Sequence, residues 1–186
     1  MTSVRVPGCV FFYGHTSGEF ANFSQFAKAN FSDGSVSYTC AEQYMMASKA
    51  RIMGDTKTYA QIMESGYNPQ RIKALGRKIK PFDQSLWNEK KIAVVTYGNF
   101  LKFTQNQDMQ TLLLDTGEDT LAEAAQRDTI WGIGRCVQTA VRDYQTYGKT
   151  KWVGTNLLGE ALMTVREAIR SNMPVRPWEE NDSLEE

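Results

Sequence analysis

Glu42 and Lys49 stand seven residues apart in Ala41-Glu42-Gln43-Tyr44-Met45-Met46-Ala47-Ser48-Lys49, a stretch without a helix breaker. Seven residues make two helical turns, so on a helix the carboxylate and the ammonium share a face. Such a carboxylate can move protons as a general acid or base. The lysine can bind phosphate or, when desolvated, attack an aldehyde carbon. The plainer reading has Glu42 capping its helix and Lys49 solvating it. A second group of residues follows downstream. Asp128 precedes Trp131-Gly132-Ile133-Gly134, a loop with one carboxylate, one indole and two glycines. That mix suits a pocket that stacks a flat ring and lets backbone approach a ligand closely. A loop aspartate is equally a common turn or cap residue. Trp87 offers a further indole, as core or as a ligand platform.

Other chemistries are excluded. Gly132 and Gly134 lack the third glycine and preceding strand of a dinucleotide fingerprint, and Gly148-Lys149-Thr150 has Asp143 where a phosphate loop needs glycine. His15 is the only histidine, which rules out a His-rich metal centre; no acidic cluster points to a magnesium site. Cys9, Cys40 and Cys136 are odd in number and widely spaced. They make no disulfide framework, and a reducing cytoplasmic or nuclear setting is expected. No stretch reaches the roughly 20 apolar residues of a membrane span.

The net charge of zero conceals an asymmetry: residues 1–80 carry ten Lys/Arg against five Asp/Glu, and residues 81–186 carry eleven against sixteen. The basic half peaks at 71–80, where Arg71, Lys73, Arg77, Lys78 and Lys80 form either a solvated helix face or an anion site.

These residues need elements to hold them. With 186 residues and 41% hydrophobic content, the chain fits one domain with a real core. Val10 to Tyr13 reads as a strand, and Asp33-Gly34 as a turn feeding a strand at Ser35 to Tyr38. Thr39 or Cys40 opens a helix that runs to about Met53 and ends at Gly54; with Thr39 as N-cap, Glu42 completes a capping box. Further helices are expected from Asp55 or Thr56 to Ser65, from Asn68-Pro69, from Asp83 to about Thr104, from Asp108 to Leu114 and from Asn156 to Ser171. The fold class is therefore mainly α: a single compact helical domain, residues 1–176, with a small N-terminal β element. Residues 177–186 read as an acidic, frayed tail.

Taken in order, Gly18-Glu19-Phe20-Ala21-Asn22-Phe23, Ala41-Glu42-Gln43-Tyr44, Gly76-Arg77, Trp87, Leu121-Ala122-Glu123-Ala124, Asp128 to Gly134 and Gly154-Thr155-Asn156-Leu157-Leu158-Gly159 resemble the NADAR/YbiA-like family over about residues 11–170. The resemblance implies a mainly helical N-glycosidase, without a cofactor, that cleaves a ribosyl C1–N bond. It implies substrates of two classes: ribosylamino-pyrimidine phosphates of early riboflavin synthesis, and ADP-ribose attached to guanine. By that carry-over Glu42 is the catalytic carboxylate and Asp128 a second acid-base or ribose-binding group. Trp87 and Trp131 become stacking walls. Glu19, Asn22 and Asn156 hydrogen-bond ribose or base beside Phe20, Phe23, Gly132 and Gly134, and Arg77 and Lys49 meet phosphate. Lys49 has a covalent alternative, a Schiff base with the ring-opened ribose.

Two departures bear on the substrate. Gln43 stands where riboflavin-type bacterial members usually show His, and residues 135–153 read as a longer loop. Its Arg135, Arg142, Tyr144, Tyr147, Lys149 and Lys151 suit a larger ligand, such as ADP-ribose or a nucleic-acid carrier, or simply a polar surface. The expected activity is removal of ADP-ribose from guanine in nucleotide or nucleic acid. The alternatives are hydrolysis of a riboflavin intermediate and non-catalytic binding of ADP-ribose or NAD.

Overall fold

The computed structural model describes residues 2–179. Two small sheets and seven helices follow in the order β1 (Ser3–Val6), β2 (Cys9–Phe12), β3 (Phe31–Asp33), β4 (Val36–Tyr38), α1 (Ala41–Ile52), α2 (Thr56–Met63), α3 (Pro69–Gly76), α4 (Gln84–Thr104), α5 (Gln107–Asp115), β5 (Thr120–Glu123), α6 (Val137–Tyr147) and α7 (Leu157–Arg170). The mainly α reading holds. β1 and β2 pair antiparallel with Val6 opposite Cys9, and β2 pairs parallel with β5, Phe12 opposite Glu123. β3 and β4 form a separate hairpin.

All four residues of β2 are buried, because helices cover both faces of its sheet. Phe12 packs edge-on against Phe23, and Phe23 against Phe103 of α4. α1 lies against α2, α3 and α4, and α7 bridges α4 and β5. Close helix approach requires glycine at Gly98: a Cβ there would lie 2.5 Å from the Tyr44 ring.

Side-chain caps account for three of the helix starts. Asp55, Asn68 and Asp83 side chains each accept a backbone N–H in the first turn, as expected of these residue types. The start of α1 differs from expectation. Cys40 is the N-cap, and the side chain that reaches back is Gln43, whose Oε1 accepts from both the N–H and the Oγ1 of Thr39, each at 2.9 Å. Gln43 thus takes over the capping role and Glu42 has none.

Two further expectations are corrected. Residues 135–153 are not one open loop: Val137 to Tyr147 form α6. Val137 and Ala140 are buried, and Val141 and Tyr144 pack on the same cluster with Phe11 and Ile133, so an amphipathic face drives the helix. Tyr144 is committed to that packing, edge-on to Phe11 and donating to the Gly8 carbonyl. The tail is not frayed at its beginning: Trp178 is buried and its Nε1 donates to the Tyr44 hydroxyl at 3.1 Å, while Glu179 pairs with Arg51. Residues 180–186 lie outside the described residues.

The segments 129–134 and 153–158 are zipped together. Thr155, Asn156, Leu157 and Leu158 donate backbone N–H groups to Thr129, Gly132, Ile130 and Trp131. Asn156 is 2% exposed and sits in the left-handed region at φ 56°, which Asn tolerates better than most residues. Its Nδ2 donates to the Leu121 carbonyl at 2.8 Å and its Oδ1 accepts from the Glu123 N–H at 3.0 Å. Asn156→Ala loses both bonds and leaves those backbone groups buried without partners, a cost of roughly 2–4 kcal/mol. Its thermal midpoint, followed by circular dichroism, is expected to fall by about 5–10 °C.

Candidate active site

The carboxyl ends of the parallel strands β2 and β5 open into a cleft, the usual place for a site in a parallel sheet. The cleft has two lobes. The inner lobe, about 370 Å³, is walled by Glu42, Met45, Met46 and Lys49 from α1, by Trp87 from the first turn of α4, and by Ile130 and Trp131. The outer lobe, about 870 Å³, is walled by Tyr13 to Thr16 after β2, by Gln70 of α3 and by the start of α6. Lys73, Arg77, Glu123, Arg127 and Asp128 line both lobes and mark where they join.

Glu42 is 4% exposed. Its backbone N–H donates to the Gln25 carbonyl at 2.9 Å, so the start of α1 is tied to the 24–26 segment that forms the adjacent wall. Burial raises its carboxyl pKa to about 7; Lys73, Arg77 and Lys49 pull it down, and Asp128 pushes it up. Glu123 shows the same behaviour, raised to about 7 by burial and by Asp128 and Glu42, against the pull of Lys73. The two glutamates and Asp128 therefore feel one another across the lobe junction.

The remaining wall is held from behind. Lys102 is fully buried, and its Nζ donates to the carbonyls of Asn22 at 2.6 Å and Ser24 at 3.0 Å. Asn99 donates to Gln25 Oε1 at 2.8 Å. Both residues belong to α4, so the long helix fixes the 22–25 backbone against α1. Asp128 uses Oδ1 to accept from the N–H groups of Ile130 and Trp131, at 2.9 and 2.8 Å, which shapes the turn that carries the Trp131 indole. Lys49 donates to the Gly76 carbonyl at 3.1 Å and lies over the rings of Phe82 (4.5 Å) and Trp87 (5.5 Å). Burial lowers its pKa, partly offset by Glu42.

Of the residues expected from sequence, the cleft brings together Glu42, Lys49, Arg77, Trp87, Asp128 and Trp131. The others stand elsewhere. Phe20 and Phe23 are core residues, Glu19 is exposed outside the cleft walls, and Asn22 meets Lys102 through its carbonyl. Gly132, Gly134 and Asn156 line neither lobe. Gly132 makes room for backbone instead: a Cβ there would lie 2.8 Å from the Glu123 carbonyl. Sequence reasoning passed over Glu123, although its place at the end of a four-residue apolar-acidic segment is the signal of a strand terminus. Of the basic run at 71–80, weighed in the sequence as a solvated face or an anion site, the structure brings Lys73 and Arg77, four residues apart, to the cleft. Among the described residues no cluster of His, Cys, Asp and Glu could hold a metal ion, and no helix is long and apolar enough to cross a membrane.

Comparison with known proteins places this geometry. The NADAR domain family model matches residues 11–170. N-glycosidase R617 of Acanthamoeba polyphaga mimivirus is 42% identical over 165 residues, covering 85% of this chain and 94% of that protein. Protein irg-1 of Caenorhabditis elegans is 37% identical over 134 residues, 71% of this chain and 61% of that protein. The NMR structure of Escherichia coli YbiA superposes with a TM-score of 0.71 at 25% identity, covering 92% of this chain and 90% of that one.

The raised carboxyl pKa of Glu42 has a consequence for stability. The folded chain holds that proton up to about pH 7, the unfolded chain only to about 4.3. Folding is therefore unpenalised below the lower value, loses stability as pH rises between the two, and carries the full cost above about 7. Glu42→Gln removes that cost, roughly 3–4 kcal/mol. Urea unfolding is expected to show the variant and the parent equally stable near pH 4 and the variant more stable at pH 8.

Proposed function

The chain belongs to the NADAR family and is a hydrolase acting on N-glycosyl bonds; from that premise we propose that it removes ADP-ribose from guanine in nucleotide or nucleic acid. The two-lobed cleft carries the reading. An ADP-ribosylated guanine has its scissile C1–N bond between two large parts, a purine on one side and a ribosyl diphosphate on the other. Its shape asks for two cavities that meet at the catalytic groups. A ribosylamino-pyrimidine phosphate is far smaller and asks for one.

Breaking the C1–N bond builds positive charge at C1 and negative charge on the departing nitrogen. Glu42, in the inner lobe, is the carboxylate that stabilises the ribosyl cation and takes a proton from the attacking water. Asp128 adds negative potential from the opposite wall and meets the ribose. Trp87 and Trp131 offer faces for a flat base. Lys73 of α3 and Arg77, the C-cap of that helix, receive phosphate oxygens, the Arg able to do so bidentately. Lys49 serves as a binding cation; its contacts with the Gly76 carbonyl and two aromatic rings support that role over a nucleophilic one.

Glu42→Gln is expected to lower turnover at least 100-fold while ADP-ribose binding stays measurable by calorimetry; full activity in that variant would overturn the assignment. A side-by-side assay tests the substrate. ADP-ribosylated guanosine is expected to release guanosine faster than ribosylamino-pyrimidine phosphates release their base, and the reverse order would favour the riboflavin reading. Binding of ADP-ribose without turnover of any N-riboside would mark a reader. Borohydride added with substrate is expected to leave Lys49 unmodified; a trapped adduct would make it a nucleophile.

A further inference from the structure

Glu123 is the one carboxylate that lines both lobes from the end of a strand, and several neighbouring features act on its backbone. Asn156 Oδ1 accepts from its N–H at 3.0 Å, and its carbonyl accepts from the Ile133 N–H at 2.9 Å. Gly132 packs against that carbonyl with no space for a side chain. Ala124 donates to the Phe12 carbonyl at 2.8 Å, which fastens the next residue to β2. The 129–134 and 153–158 segments, zipped to each other, thus hold the N–H and the carbonyl of one residue. Gly132, Gly134 and Asn156 line neither lobe; Gly132 and Asn156 instead set the backbone of the residue whose side chain does.

Resting on the N-glycosidase reading above, we propose that Glu123 is a catalytic residue, the general acid that delivers the proton to the departing nitrogen, paired across the lobe junction with Glu42 as the base. The step balances. Water attacks C1 and gives one proton to the Glu42 carboxylate; the C1–N bond breaks and its electron pair takes the proton of the Glu123 carboxyl. The products are the ribosyl hydroxyl and the protonated base. The proton on Glu42 then returns to Glu123 through the cleft, and the pair is reset.

The surroundings favour one shared proton. Glu42 comes from α1 and Asp128 from the loop, and each adds negative potential at Glu123. From α3 come Lys73, which lowers its pKa, and Arg77; Arg127 and His15 border the outer lobe. Lys49 acts on Glu42. Burial disfavours two adjacent carboxylates, so one member keeps a proton near neutrality, as a general acid must. Asp128 is already engaged in shaping its turn, its Oδ1 accepting two backbone N–H groups.

The test compares the wild-type chain with Glu123→Gln and Asp128→Asn on ADP-ribosylated guanosine from about pH 5 to 9. Glu123→Gln is expected to lower kcat at least 100-fold with KM little changed, and to abolish the fall in rate above about pH 7 that the wild type shows. Retained turnover in Glu123→Gln with that alkaline fall intact, or loss of the fall in Asp128→Asn alone, overturns the proposal. A second measurement does not need turnover. Infrared difference spectra of the full chain between about pH 6 and 8 are expected to show a protonated carboxyl that titrates in the wild type and changes in both Glu123→Gln and Glu42→Gln. A band untouched by Glu123→Gln overturns the pairing. A wild type that cleaves no N-riboside yet shows this band refutes the proposed activity and leaves the shared proton standing.

Discussion

The structure turns on the burial of carboxylates around one cleft. Glu42 enters from the second residue of α1, Glu123 from the last residue of β5, and Asp128 from the turn that follows. Each alone would be an ordinary surface acid. With Glu42 buried and Glu123 half-buried beside Lys73, the two glutamates disfavour each other's charge and hold protons to about pH 7. Natural folds accept such a cost where proton transfer is the task. The proposed acid and base roles need these groups at a set distance rather than free to relax.

The support comes largely from residues that line neither lobe. α4 contributes Lys102, which holds the carbonyls of Asn22 and Ser24, and Asn99, which holds the Gln25 side chain; the Gln25 carbonyl in turn ties the start of α1. On the other side, Asn156 and Gly132 fix the end of β5. The Trp178 indole closes the opposite face of α1 through Tyr44, whose hydroxyl also donates to Asp33 at 3.2 Å. α1 is thus gripped at its N-terminal turn and along its back, with its cleft face open.

Much of this was legible in the sequence. Asp55, Asn68-Pro69 and Asp83 mark helix starts through their own hydrogen-bonding chemistry, so α2, α3 and α4 begin where local residues dictate. The spacing of Glu42 and Lys49 located the cleft face of α1, and the Asp128-to-Trp131 run located its opposite wall. What stayed hidden depends on distant partners. β5 is four residues long and pairs parallel with β2 across more than a hundred residues of chain, so the short apolar-acidic run that ends at Glu123 is only a weak local signal of a strand end. Asn156 and Gly132 carry the look of ligand-binding residues because polar amides and glycines serve backbone and ligand equally well. α6 was concealed by its polar outer face, and its apolar stripe acquires meaning only against Phe11 and Ile133.

Lys102 completes the electrostatic account. Its Nζ has two backbone carbonyls as partners, a number that the two N–H groups of a neutral amine match, and burial pulls its pKa down to about 7. The unfolded chain keeps that proton to about pH 10.4. This site therefore costs stability in full below about 7 and less as pH climbs toward the unfolded value. The glutamates run the other way, their cost growing up to about 7 and constant beyond. The two slopes have opposite sign and meet near neutrality, so the groups that build the cleft weigh most heavily on the fold in the range where its carboxylates exchange protons. A polar machine assembled inside an apolar shell leaves the aromatic core and the helix caps to supply the compensating stability.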